Sequence, residues 1–179
     1  MLSARAESGS FALCGENLSW TITDEDCDGA PETIYIEGEG AMYDYTASDP
    51  APWKNCGVTA VFFSNDVTSI GDRAFYGCDK LEAVVLPTGV TSIGASAFNG
   101  CSALMEAVLP ESVVSIGNYA FSGCASLTSV ILPTGMTALQ NLGNIENLKM
   151  KNTKRKTAIS GGFSLSKTCK KYRNQAKKS

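Results

Sequence analysis

VTSIGDRAFYGCDKLEAVVLP, residues 67–87, returns as VTSIGASAFNGCSALMEAVLP at 90–110, and this return after 23 residues decides the fold. Phe75, Phe98 and Phe121 keep the step, as do Cys78, Cys101 and Cys124. So do Leu81, Leu104 and Leu127, and Pro87, Pro110 and Pro133. Ile70, Ile93 and Ile116 follow it, and Leu139 continues the series. A fixed period of this length marks units that bury their apolar side only by stacking on one another. From Val84 to Leu86 the unit alternates in, out, in, as a strand does, and Pro87 ends it because proline donates nothing to a continuing ladder. Val67-Thr-Ser-Ile70 reads as a second, shorter extended run, after which Gly71 permits a sharp turn. Ala74-Phe75 suits a single helical or 3₁₀ turn, with the phenylalanine filling the coil interior.

The unit resembles the BspA-like leucine-rich repeats of bacterial surface proteins, whose pattern is LPxxVTSIGxxAFxGCxxLxxV. The likeness covers residues 58–139. More loosely, Cys14–Trp20, Gly38–Tyr43 and Ala51–Trp53 are similar to the segment that precedes the first repeat in such proteins. The resemblance implies a leucine-rich-repeat solenoid, a β-rich α/β right-handed superhelix of 23-residue coils. Each coil would hold a parallel strand and a short helical or 3₁₀ turn. It further implies export, an extracellular place on the bacterial cell surface, and adhesion or recognition rather than catalysis.

A solenoid exposes apolar faces at its ends and needs caps. Trp20-Thr-Ile-Thr23 and Thr33-Ile-Tyr-Ile36 are rich in β-branched and aromatic residues and are expected to be strands. Trp53 sits about one period before Phe75 and is expected to plug a degenerate first coil, with Val58 and Val61 at the Leu81 and Val84 positions. The expected organisation is a residual leader or flexible start over 1–10 and an N-terminal β cap over 11–57. Repeats follow over 58–140, as about three full coils plus partial ones. Residues 141–179 form a degenerate C-terminal cap and basic tail. There Leu142, Ile145 and Leu148 are spaced to lay an apolar stripe over the last coil. Leu165–Lys178 is faintly similar to the opening strands of small immunoglobulin-like modules, as though another module began there.

Net charge is −3, but residues 1–140 carry 4 basic and 17 acidic groups, whereas 141–179 carry 11 basic and 1 acidic. Such a tail is either a solubilising end or an arm for an anionic polymer. Nucleic acid is the lesser expectation, because the tail lacks regular aromatic interleaving. No stretch approaches the ~18 apolar residues of a membrane span. The start lacks the apolar core of a leader, although Ala4-Arg5-Ala6 fits the small-x-small pattern of cleavage sites, as if a leader had been trimmed.

The chain has no histidine. That removes the commonest general base and the commonest transition-metal ligand, so the repeated Ser69, Ser92 and Ser115 cannot form an ordinary triad. Their expected role is to bond backbone groups between coils. Cys78, Cys101 and Cys124 recur once per coil with parallel side-chain vectors about 4.7–4.9 Å apart, a poor geometry for a disulfide. They are expected to be buried free thiols, with Cys56 extending the series. Cys14 and Cys27 remain open to pairing, and Cys169 has no evident role. The cysteines lack C-x₂₋₄-C zinc spacing. Asp24-Glu-Asp-Cys-Asp28 beside Gly29 is read as a solvated turn in preference to a calcium loop, because the EF-hand spacing is missing. No cofactor, metal or catalytic residue is expected.

The surface expected to bind is the concave sheet face. Phe62, Val85, Val108 and Ile131 share one outward position, flanked by Glu82, Met105 and Glu106. This stripe is either a ligand-binding line or the ordinary preference of strands for β-branched residues. The expected partner is a protein or glycan of a host or neighbouring cell surface. The alternative is a structural spacer within a larger surface protein.

Overall fold

The structure, a computed structural model, describes residues 12–24, 32–133, 138–139 and 151–152. Two parallel ladders run along the repeats. The first joins β3 (Thr33–Met42), β4 (Ala60–Phe63), β6 (Ala83–Val85), β8 (Glu106–Val108), β10 (Ser129–Leu132) and β12 (Lys151–Asn152). The second joins β3 to β5 (Val67–Ile70), β7 (Ser92–Ile93), β9 (Ser115–Ile116) and β11 (Ala138–Leu139). The chain visits the two ladders in alternation. This is a parallel-sheet solenoid of about four coils, and its register is the repeat itself: Ala60↔Ala83↔Glu106↔Ser129 and Ile70↔Ile93↔Ile116↔Leu139.

The strands are shorter than the Leu-to-Leu segments of the repeat: β6 ends at Val85 and β8 at Val108, each two residues before the proline that cannot continue the ladder. Inside, Phe75, Phe98 and Phe121 are fully buried and stacked face to face, with centroids 5.3 Å apart and planes within 7°. Trp53 extends the stack at 5.7 Å from Phe75, and its indole N–H donates to the Ala74 carbonyl at 2.8 Å. Leu81, Leu104 and Leu127 and the isoleucine column close round them.

The turn before each first-ladder strand differs from the expected helical or 3₁₀ turn, since no helix occurs among the described residues. Tyr76 N–H bonds three residues back to Arg73, and Cys78 N–H to Phe75. The intervening donors of Arg73, Phe75 and Gly77 reach across to the Ala95, Asn99 and Ala97 carbonyls of the next coil, Phe75 taking Ala97 and Gly77 taking Asn99. Alternate donors are thus spent between coils, and the consecutive bonds that define a 3₁₀ helix never form. Arg73, Ser96 and Tyr119 accordingly take left-handed backbone angles, with φ of 54°, 56° and 60°.

Gly71 and its copies also serve a purpose other than the one expected. Their φ values are not left-handed; what requires glycine is the neighbouring coil. A Cβ on Gly117 would lie 2.6 Å from the Ala95 nitrogen, and one on Gly71 would strike the Tyr43 carbonyl.

At the N side, β1 (Ala12–Leu13) and β3 both pair antiparallel with β2 (Gly15–Thr23). β3 is longer than the expected Thr33–Ile36 and serves both ladders: residues 33–36 pair with β4, and 40–41 with β5. Gly38 and Gly40, at φ 111° and 102°, sit where the strand passes from one ladder to the other. The Leu142–Leu148 stripe and the segment 165–178 lie outside the described residues.

Candidate recognition surface

Side chains alternate across a strand, so the residues flanking a core position face outward. Val61, Val84, Ala107 and Val130 belong to the core. The outward residues on one side of them are Phe62, Val85 and Val108, all half-buried. The backbone pairing sets Val85 beside Val108 and Val108 beside Ile131, whose side chain lies outside what is described. These expected stripe residues therefore occupy adjacent strands at one level.

Tyr35 of β3 joins the row ahead of them. It pairs with Phe62, and the two rings stack at 5.3 Å with planes 20° apart. Its offset from Phe62 is 27 residues rather than 23, which hid it from the period. At the other end, Ile131 pairs with Lys151, so the backbone row passes from apolar positions to a basic one.

The second outward column runs Thr33, Ala60, Ala83 and Glu106. Thr33, Ala60 and Ala83 are at most 4% exposed although the two alanines stand outside the core cluster. Small residues make this column a covered floor beside the aromatic and aliphatic row. Glu106 breaks it with a half-buried carboxylate. Glu82 and Met105 lie side by side just before the strands, the Met105 N–H donating to the Glu82 carbonyl at 2.9 Å. Met105 is 41% exposed, a large apolar group at the margin. Residues 81–133 contain no lysine or arginine, so nothing basic in those coils offsets these acids. The arrangement is an apolar row with a polar rim, the anatomy of a surface that takes up a partner by desolvation.

Cys14, Cys56, Cys78, Cys101 and Cys124 are unbridged, and all but Cys56 are buried. Burial pushes the thiols of Cys14, Cys78 and Cys124 up to about 12 and that of Cys101 upward as well, further raised by its neighbouring thiols. Cys101 and Cys124 donate S–H bonds of 3.1 Å to the Phe75 and Phe98 carbonyls of the preceding coil, a role the spacing did not disclose. Protonated and buried, they are neither nucleophiles nor ready metal ligands. Ser69, Ser92 and Ser115 are half-buried along the second ladder. Hydroxyl bonds between coils come instead from Thr91, Ser102 and Ser112, to Thr68, Asp79 and Val90. Among the described residues, no group of three or more acids, cysteines or histidines could hold a metal, and no helix is long and apolar enough to cross a membrane. Most of the acidic turn 24–28, including Cys27, lies outside the described residues, as does Cys169.

The family model of the BspA type leucine rich repeat region matches residues 50–167, in six copies. Among solved structures, a leucine-rich repeat protein from Eubacterium ventriosum shares 24% identity over 71% of this chain and 38% of its own, with a TM-score of 0.56. A T. pallidum leucine rich repeat protein shares 28% over 68% of this chain and 61% of its own, at a TM-score of 0.49. One from Bacteroides ovatus shares 28% over 71% and 37%, at 0.48. This chain spans less than two thirds of the length of each. No curated protein matches it significantly.

Proposed function

Because the chain belongs to the BspA-type leucine-rich repeat family, we propose that it is a non-catalytic recognition module of a bacterial cell surface. It engages a protein or glycan of a host or neighbouring cell through the outward face of the first ladder. The observation that carries this reading is the aligned row of Tyr35, Phe62, Val85 and Val108 beside a covered floor of Thr33, Ala60 and Ala83. Strand propensity accounts for each valine and aromatic residue singly, and the Tyr35–Phe62 ring pair stabilises the sheet; what favours recognition is that these groups fall in one outward row with a polar rim. The chain has no histidine, so this surface lacks the commonest general base. The family match supports a surface location for this module.

The test is a screen of the full chain against immobilised matrix proteins and a glycan array, beside Val108→Lys. That substitution places a charge in the row without touching the core, so stability should move by under ~1 kcal/mol. Binding to whatever partner the screen retains should weaken at least tenfold. Unchanged affinity, with binding lost on removal of residues 153–179, would transfer the function to the basic tail.

A further inference from the structure

Residues 12–133 contain only three cations, Lys54, Arg73 and Lys80, against 16 acidic residues. All three gather on one side of the first coils, at the turns rather than on the sheet face. The Lys54 ammonium lies 5.3 Å from the centroid of the Tyr76 ring, and the Arg73 guanidinium 5.9 Å from it. Lys54 Cε is 3.6 Å from where a side chain on Gly77 would begin, and Lys80 Nζ 3.7 Å from the same point on Gly57. In an acidic chain, opposite charges would be expected to scatter or to pair, yet none of these cations forms an ion pair within the described structure.

Lys54 and Arg73, though not Lys80, line a depression of about 240 Å³ together with Thr46, Ala47, Pro50, Ala51 and Tyr76. Tyr76 is 40% exposed. The repeat does not require this group of residues. One period on, Arg73 becomes Ser96, Tyr76 becomes Asn99, Lys54 becomes Gly77 and Lys80 becomes Ala103. The following coils keep the same turn with none of the charge, so the patch is an addition to the fold.

We infer that this depression is a second binding site, for an acidic sugar residue of a glycan. Its volume suits one or two rings and not a folded partner. Pro50 and the part of the Tyr76 ring that the two cations leave exposed offer apolar surface to a sugar ring. Arg73 supplies a planar fork that matches a carboxylate or sulfate in two parallel bonds, and Lys54 supplies a point charge beside it. The surrounding acids repel anions that make contact only by charge, and the site selects for those that also fit the ring surface. It is separate from the apolar row on the first ladder and stands or falls without it.

The experiment is amide-resolved NMR of the full chain titrated with trigalacturonate, with a sulfated trisaccharide, with neutral maltotriose and with inorganic phosphate. Saturable shifts should appear over residues 46–54 and 73–80 with one or both acidic sugars and not with maltotriose. The double variant Arg73→Ser/Tyr76→Asn installs the residues that the next coil already carries, so it should fold and bind at least tenfold more weakly. Shifts confined to residues 151–179, no shifts with either acidic sugar, or unaltered binding by the double variant would overturn the site. Equal shifts and affinity with inorganic phosphate would overturn the sugar assignment.

Discussion

Phe98 lies between two rings of its own kind, with Phe75 and Phe121 each 5.3 Å away and no part of it exposed. Replacing it by alanine opens a hole that neither neighbour can fill without breaking its own stack. The expected cost is about 3–5 kcal/mol in urea melts, the usual range for a buried aromatic ring. A loss below about 1 kcal/mol would mean that the stack is not the core. The thiols beside the rings make a second prediction, in pH. Folded Cys78 and Cys124 hold their protons to about 12, above the ordinary 9.0, because burial penalises the thiolate. In the unfolded chain the same groups ionise near the ordinary value. Stability is therefore complete below pH 9 and falls as pH rises from 9 towards 12. Thermal melts from pH 8 to 10.5 should show the decline, and Cys78→Ala/Cys124→Ala should make it shallower, the buried thiols of Cys14 and Cys101 supplying the rest. An unaltered pH slope in that variant would remove Cys78 and Cys124 as contributors to it.

Each coil packs on the next through glycines of two kinds, and they should fail differently. Gly117→Ala drives a methyl into the Ala95 backbone of the preceding coil, where the Cβ would stand 2.6 Å from the nitrogen. Gly100→Ala meets only ordinary contacts but forces a side chain onto a φ of 80°, a strain of about 1–2 kcal/mol. Urea melts should place Gly117→Ala well below Gly100→Ala, and the reverse order would mean that the coils have room to part. At this scale the period made the ladders, their register and the phenylalanine stack legible, because 23-residue spacing maps directly onto neighbouring strands. The turn was not legible in the same way. Ala74-Phe75 suits a helical turn locally, but the donors of Arg73, Phe75 and Gly77 go to the next coil, and no local pattern announces that. β3 was only half legible, since Glu37-Gly-Glu-Gly40 looks like a break in a strand and is instead its passage between ladders. Tyr35 escaped for the same reason: it stands in the row by pairing and not by period.

Over the whole molecule, an acidic array carries an apolar row on its first ladder, and a basic tail follows in the sequence. The row and the tail compete as explanations of binding, and charge alone cannot separate them, because a tail with this many cations holds anions without any fold. Side-chain footprinting separates them directly. Met105 at 41% exposure and the rings of Tyr35 and Phe62 report on the row, whereas Tyr119 at 50% and Tyr76 at 40% report on the turns. The full chain, exposed to hydroxyl radicals with and without a partner retained in the surface screen, gives oxidation at each of these positions. Partner binding is predicted to protect Met105, Phe62 and Tyr35 severalfold while leaving Tyr119 unchanged. Unaltered oxidation of Met105 and Phe62 in a complex that still forms would contradict the assignment of the first ladder as the recognition surface.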